Sequence, residues 1–355
     1  MLMKKLLTLL MSLLLLTPIL VAQTTSSTVL TRAEITKRLT DATYHPNYYQ
    51  SMSHRGRMSG YDEFPENSLS AIENTVGLGV SLIEIDLKKT SDGMVIVMHD
   101  DYLQRTTNFL DLVPGVGEGK DNYGKCSAYP WSLISKLVLK RADFTYTTEH
   151  IPTFLEVLRY IRNSTSALLE LDISTEDVFE AAWNVVKEEN AFDVVIFKTR
   201  GMTLDHFRNN YYYKLTQEQQ NKLILFLVID ARIPNTMDYY AAWEQTKIPK
   251  GYEISFRDNK SDDDLMLLSI VEDVRTRHRV RVHAFNTIPD MYYGRYKGNV
   301  NIGQCCNPAL DRRGDWLFLL DPLEKGNTTI GVNGSVITDD PILLNKFYQT
   351  IGRHE

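Results

Sequence analysis

Ser81-Leu82-Ile83-Glu84-Ile85-Asp86-Leu87 is the stretch from which the fold is read. Successive residues of a β-strand point to opposite faces, so Ile83, Ile85 and Leu87 share one side while Glu84 and Asp86 share the other. Ala167-Leu168-Leu169-Glu170-Leu171-Asp172 repeats the pattern, with Glu170 and Asp172 two apart. Working outward, further apolar runs cover 48–53, 94–98, 192–198, 223–229, 252–256, 280–285 and 334–337. Helical patterns lie between them at 66–78, 175–189, 204–220, 236–245 and 263–278. Strands that alternate with helices and read as near-continuous apolar runs build a parallel sheet covered by helices. With 94–98 taken as a short extra beside the second strand, eight principal strands predict a closed (β/α)8 TIM barrel. A doubly wound open sheet is the runner-up. Its nucleotide-binding forms lose support, because no G-x-G-x-x-G follows the first strand and no G-x-x-x-x-G-K-[ST] occurs.

The 355 residues suit one such barrel with insertions. Two long stretches interrupt the alternation: an insertion after the second strand, about 101–150, and another before the last, about 286–333. A net charge of -6 argues against a nucleic-acid partner, which calls for a basic surface. Lys4 and Lys5 precede an apolar run over 6–21 and the polar Gln23-Thr24-Thr25-Ser26. This pattern predicts a signal peptide over 1–22, a polar leader over 23–47, the barrel over 48–355, and export to the periplasm or beyond. The apolar run falls short of the roughly 20 residues of a membrane span, so no stable span is expected after cleavage. Three cysteines are too few to build the fold on disulfides. A bridge from Cys126 to Cys305 or Cys306 and three separate thiols both fit an oxidising compartment. No Cys-x-x-Cys or Cys/His spacing for structural zinc is present.

The chemistry gathers at strand ends, which converge on one mouth in a barrel. His54-Arg55-Gly56 closes the first strand and His99-Asp100 the short third; Glu84, Asp86, Glu170 and Asp172 line the second and fourth. Two imidazoles, an arginine and several carboxylates make an acid–base site with an oxygen-ligated cation. All-carboxylate ligation favours Mg2+ or Ca2+ over zinc, and the arginine favours a phosphate-bearing substrate. A lone strand-end histidine is more often structural, and His45, His150, His206, His278, His283 and His354 are read that way. Lys198, in Phe197-Lys198-Thr199-Arg200 one strand over, can compensate Asp172 or reach a phosphate; it can equally leave the strand end into solvent.

These residues also carry a family resemblance. His54-Arg55-Gly56, Pro65-Glu66-Asn67-Ser68-Leu69, Glu84-Ile85-Asp86, Thr90-Ser91-Asp92-Gly93 and His99-Asp100 resemble the glycerophosphodiester phosphodiesterase pattern in order and spacing. Leu103-Gln104-Arg105-Thr106-Thr107-Asn108, Ile151-Pro152-Thr153-Phe154-Leu155-Glu156 and Gly334-Ser335-Val336-Ile337-Thr338-Asp339-Asp340-Pro341 extend it. The resemblance implies that His54 and His99 are the acid–base pair and that Glu84, Asp86 and Glu170 hold one Ca2+ or Mg2+. It implies that Arg55 contacts the phosphate, with Glu66 and Asn67 shaping the wall and the 101–150 insertion framing the glycerol side. The implied reaction converts a small-molecule glycerophosphodiester into glycerol phosphate and an alcohol. A lysophospholipase D or sphingomyelinase D-like lipid phosphodiesterase, with Trp316-Leu317-Phe318-Leu319-Leu320 as a lid, is the alternative within the enzymes; a non-catalytic phospho-ligand binding barrel is the alternative outside them. The chain departs from the family at Asp172, where a lysine is usual, and at Ala284-Phe285-Asn286-Thr287, where Trp-Thr is usual.

Overall fold

The apolar runs become the staves of a barrel. The structure is a computed structural model and describes residues 30–57, 62–115, 122–255, 262–278, 280–285 and 332–353. In chain order its strands are β1 (Gln50–Ser53), β2 (Leu82–Lys89), β3 (Val95–Val97), β4 (Val138–Lys140), β5 (Tyr146–His150) and β6 (Leu168–Asp172). They continue as β7 (Val195–Arg200), β8 (Ile224–Asp230), β9 (Gly251–Ser255), β10 (Arg281–Phe285) and β11 (Ser335–Thr338). The ring runs β1-β11-β10-β9-β8-β7-β6-β2, every neighbour parallel, and closes where Ser53 of β1 meets Ile83 of β2. The short β3 lies antiparallel on the end of β2, pairing Val97 with Leu87. The eight parallel staves are those expected from the sequence.

Alternation divides each stave between two environments. Ile83, Ile85, Leu169, Leu171 and Phe197 face outward into the apolar layer beneath the helices. The helix Phe154–Ser164 answers with Phe154, Val157, Leu158 and Ile161, spaced for one face, and opens with a capping box between Thr153 and Glu156. Inside the ring, Leu82, Leu168, Ile196 and Phe226 are fully buried and form an apolar floor. His283 stacks on Phe226 at 4.2 Å between ring centroids and meets Ser335 Oγ at 2.8 Å through Nδ1. Burial holds its pKa well below the usual histidine value, so it stays neutral, in keeping with its structural reading.

Several elements differ from the sequence reading. Residues expected to be a leader contain the helix Arg32–Thr40, which buries Ile35 and Leu39. Arg32 fastens it, donating to the carbonyls of Ile161 at 2.9 Å and Thr165 at 2.7 Å. With only two buried apolar residues, its periodicity was too thin to read. The helix expected at 204–220 is two, Leu204–Asn210 and Gln217–Lys222, because Thr216 starts a new capping box with Gln219. Phe154–Ser164 and the C-terminal Pro341–Thr350 were not anticipated as helices. The first insertion builds a satellite core of Phe109, Cys126, Ile134, Leu137 and Leu139 around the β4–β5 hairpin. Cys126 is buried there as a thiol, with burial pushing its pKa up to about 12. Residues 1–22, Cys305, Cys306, Trp316-Leu317-Phe318-Leu319-Leu320 and 286–331 of the second insertion lie outside the described residues. No helix among the described residues is long and apolar enough to cross a membrane.

The stacked floor depends on missing side chains. A Cβ on Gly251 would come within 2.6 Å of Phe226 Cε1 and 2.7 Å of His283 Nε2; one on Gly334 would come within 2.5 Å of His283 Cε1. Gly251→Val should therefore destabilise the barrel by about 1–3 kcal/mol, the usual cost of overpacking. Thermal unfolding checks this, and an unchanged Tm would show that the floor can yield.

Candidate active site

The mouth of the barrel is lined by the ends of β1, β2, β6, β7, β9 and β11. His54 and Arg55 turn inward directly after β1 because Arg55 adopts a left-handed conformation, φ 58°. The turn delivers the Arg55 backbone N–H to Glu84 Oε2 at 2.8 Å. It also aims the guanidinium at Glu66 Oε1, 3.0 Å from Nη1, and at Asp86 Oδ2, 3.5 Å from Nε. Asn67, also left-handed at φ 59°, grips Asp86 twice: Nδ2 donates to Oδ2 at 2.8 Å, and Oδ1 accepts from the backbone N–H at 3.2 Å. The two wall residues named from sequence thus position the arginine and one of the carboxylates.

Each imidazole is held at Nδ1 by a carboxylate. His54 Nδ1 lies 2.8 Å from Asp339 Oδ1, and both side chains are buried. His99 Nδ1 lies 2.7 Å from Asp100 Oδ1, with the ring partly open to solvent. Arg105 clamps Asp100, Nε to Oδ2 at 2.5 Å, and reaches Glu66 Oε1 at 2.6 Å with Nη2. His99, Asp100, Arg105, Glu66 and Arg55 therefore form one continuous chain of charge-assisted hydrogen bonds. Burial alone would raise the Glu66 pKa, but Arg105, Arg55 and Arg57 hold it down at about 2. Asp339, Asp100 and Arg105 had no assigned role in the sequence reading. Their signal was position: Asp339 and Asp100 follow the ends of β11 and β3, where a barrel collects its functional groups.

The acidic cluster differs from the expected one. Glu84, Asp86 and Asp172 each offer an oxygen within 4.8 Å of the others. Glu170, expected as the third ligand, instead lies 2.9 Å from Lys198 Nζ, which also sits 3.4 Å from Glu253. The β2–β6 register does not choose between the two acidic residues of β6. Glu84 pairs with Glu170 and Asp86 with Asp172, so either acidic residue of β6 starts beside β2. Lys198 on β7 flanks β6 from the other side, two positions beyond Ile196, the partner of Glu170, and reaches Glu170 across the seam. Lys198 is buried in the barrel rather than projecting into solvent. Its pKa is raised well above the usual lysine value: burial opposes the charge, and Glu170, Glu253, Asp172 and Glu84 more than offset it. Glu170 is pushed up to about 8, chiefly by burial and against the pull of Lys198. Asp172 is lowered, first by Lys198, and its outer side opens into a cavity of about 750 Å³ shared with Lys198, Arg200 and Glu253.

Unsatisfied buried oxygens make the case for a cation. Glu84 is fully buried and its Oε1 has no hydrogen-bond partner among the described residues; the same holds for both oxygens of Glu170, which meets Lys198 as an ion pair. Burial pushes the Glu84 pKa well above the carboxylate range, and repulsion from Asp86 and Asp172 adds to the shift. Three converging hard oxygen donors, one of them unsatisfied, fit a divalent cation of the Ca2+ or Mg2+ type. Residues of this kind in a barrel mouth, with two carboxylate-held imidazoles beside them, can bind and transfer protons around an anionic centre.

Residues 54–286 match the model of the glycerophosphoryl diester phosphodiesterase family. The chain is similar to a glycerophosphodiester phosphodiesterase of Bacillus subtilis, 35% identical over 117 residues that cover 32% of this chain and 36% of that protein. It is also similar to one from Caldanaerobacter subterraneus, 30% identical over 155 residues, 42% of this chain and 56% of that one. The matches thus span about a third to just over half of these curated relatives. Among solved structures, a glycerophosphoryl diester phosphodiesterase from Parabacteroides distasonis superposes with a TM-score of 0.59 at 18% identity, covering 91% of this chain and 93% of that one. A phosphodiesterase from Oleispira antarctica, solved with the product sn-glycerol-3-phosphate, gives 0.53 at 19% identity, covering 86% and 98%. At these identities the structural likeness speaks for the fold.

The depressed Glu66 carboxyl has a consequence for acid stability. Its contribution is fully present above the ordinary glutamate value of 4.5 and is lost as pH falls from there through about 2. Glu66→Gln should flatten the loss of stability across that window in denaturant titrations. An unchanged acid slope would mean that Glu66 carries little of it.

Proposed function

The chain belongs to the glycerophosphoryl diester phosphodiesterase family, and on that footing we propose that it is a metal-dependent hydrolase of glycerophosphodiesters that works by acid–base catalysis between His54 and His99. The observation that carries this reading is that His54 and Arg55 follow one another at the end of β1, where Arg55 meets Glu84 through its backbone N–H and Asp86 through its guanidinium, while His99 joins the same array through Asp100, Arg105 and Glu66. Proton-transfer groups, fixed positive charge and an oxygen-donor cluster thus surround one volume. That is what the cleavage of a phosphodiester requires. An export signal over residues 1–22 would place the reaction in the periplasm or outside the cell.

The cation, Ca2+ or Mg2+, would be held by Glu84, Asp86 and Asp172 and, when bound, supplies Lewis-acid neutralisation of the phosphodiester oxygens. The remaining work falls to the chain. Arg55, held by Glu66, presents positive charge to the phosphate. Because Asp339 and Asp100 engage the Nδ1 atoms, Nε2 of each ring is the proton-transferring nitrogen. One imidazole takes the proton from the attacking oxygen, and the other gives a proton to the departing alkoxide. The products are glycerol phosphate and an alcohol. Lys198 holds Glu170 beside the cluster, so the charge that the family usually places at the Asp172 position arrives from the neighbouring strand.

Three measurements test this reading. EDTA should abolish hydrolysis of glycerophosphodiesters, and Ca2+ or Mg2+ should restore it; full turnover in excess chelator would remove the metal from the mechanism. His54→Ala and His99→Ala should each lower kcat by at least about 10²-fold, the usual loss with a general acid or base. Near-normal turnover in either would excuse that histidine. Calorimetric titration with Ca2+ should show Asp172→Asn weakening affinity by about tenfold or more and Glu170→Gln by less, as ligand charge dictates. The reverse order would return Glu170 to the ligand set.

A further inference from the structure

Beside the reaction centre lies a second cavity, of about 260 Å³, whose wall includes Arg57, Arg105, Lys140 and Arg141 against only Asp62 and Glu66. Such a concentration of positive charge is at odds with a chain whose net charge is -6. The cations are not equally neutralised. Arg105 is committed to Asp100 and Glu66. Arg141, by contrast, donates Nε to the Glu63 carbonyl at 3.1 Å and Nη1 to Thr145 Oγ1 at 3.2 Å. Lys140 donates to the Gln104 carbonyl at 3.2 Å and lies 5.3 Å over the Tyr146 ring. Among the described residues, the Arg57 side chain makes one long contact, to Glu66 at 3.9 Å. Neutral carbonyls and hydroxyls orient Lys140 and Arg141; Asp143, two residues on, offsets part of the Arg141 charge, and no ion pair is made by either side chain among the described residues.

The hairpin that carries Lys140 and Arg141 adds an independent observation. It turns at Asp143, whose Oδ1 accepts from the Thr145 N–H at 2.9 Å, and Phe144 then takes a left-handed φ of 67°. A bulky residue is a genuine outlier there, where glycine would be cheaper. Phe144 is nonetheless 66% exposed and lines the cavity together with Phe64. Strain retained to keep an exposed aromatic ring over a basic cavity fits a binding site better than a stability device.

We propose that this cavity is an anion subsite for a phosphate or carboxylate group, bound by Arg57, Lys140 and Arg141, with Phe64 and Phe144 covering the carbon chain that carries the group. Glu66 and Arg105 are shared with the chain that positions His99 and Arg55, so an occupant lies next to the reaction centre. The anion can come from two sources: a second charged group on the phosphodiester substrate, or free phosphate. The first source rests on the phosphodiesterase reading; the second does not.

Inorganic phosphate is titrated calorimetrically into the chelator-treated full chain, so that the cation site does not contribute. Binding should weaken on the order of tenfold in Lys140→Met and in Arg141→Met, as expected for losing one charge-assisted contact. Lys140→Arg should restore it. Phe144→Gly should raise Tm while weakening the complex, a split that a purely structural role would not produce. Phosphate affinity unchanged in both Lys140→Met and Arg141→Met overturns the proposal even if either variant is otherwise perturbed. The second arm compares glycerophosphoserine with glycerophosphocholine as substrates. A KM that rises in Lys140→Met for glycerophosphoserine alone, at constant kcat, assigns the subsite to the substrate. Loss of phosphate binding without that change assigns it to a free anion. If no diester is hydrolysed by the wild type, the phosphodiesterase reading fails while the phosphate titration still decides the subsite.

Discussion

Like charges crowded inside a closed ring of parallel strands govern the rest of this molecule. Glu84, Asp86, Glu170 and Glu253 are buried in the barrel with Asp172 at its exposed rim, and Lys198 and Arg55 are cations packed among them. Buried carboxylates without compensation are costly and tend to neutralise. The structure divides the problem. Lys198 takes Glu170 and Glu253, while Arg55 and Asn67 take Asp86. Glu84, with its unsatisfied Oε1, and Asp172 are left converging with Asp86 on a volume suited to a divalent cation. The apolar floor of Leu82, Leu168, Ile196 and Phe226 shuts that volume off from below, which leaves the mouth as the way in.

Around this cluster the polar groups are locked rather than adaptable. His54 and His99 are tied at Nδ1, Arg55 is tied at both its backbone and its side chain, and Arg105 links the His99 and Arg55 sides through Glu66. Preorganisation of this kind lets a site act on developing charge without first moving its own dipoles. The first insertion contributes to it directly. Arg105 belongs to that segment, and the same segment raises the β4–β5 hairpin beside the second, basic cavity.

Much of the architecture was legible because burial on one face leaves a two-residue signature that needs no partner to be recognised. The staves were read within a few residues of their ends, as β6 (Leu168–Asp172) shows against the expected 167–172. The helices that escaped notice did so for physical reasons. Arg32–Thr40 buries only Ile35 and Leu39 and is held by the Arg32 side chain donating to backbone carbonyls, which leaves no periodic trace. Phe154–Ser164 did carry a trace, in its capping box and in the spacing of Phe154, Val157, Leu158 and Ile161, and was legible to a closer reading.

The sequence by itself determined which side chains share a face: Glu84 with Asp86, Glu170 with Asp172, and the apolar residues between them. That follows from the strand period, a local property of the backbone. Only the closed barrel set Lys198 against Glu170 and brought Asp172 near Glu84 and Asp86, because those contacts cross the β6–β7 and β2–β6 seams. Only closure could bring Asp339 to His54, 285 positions away in the chain, since β11 must pair with β1 before the two can meet. Faces are set by neighbours in the chain. Partners are set by neighbours in the ring, and those exist only once its last strand has closed it.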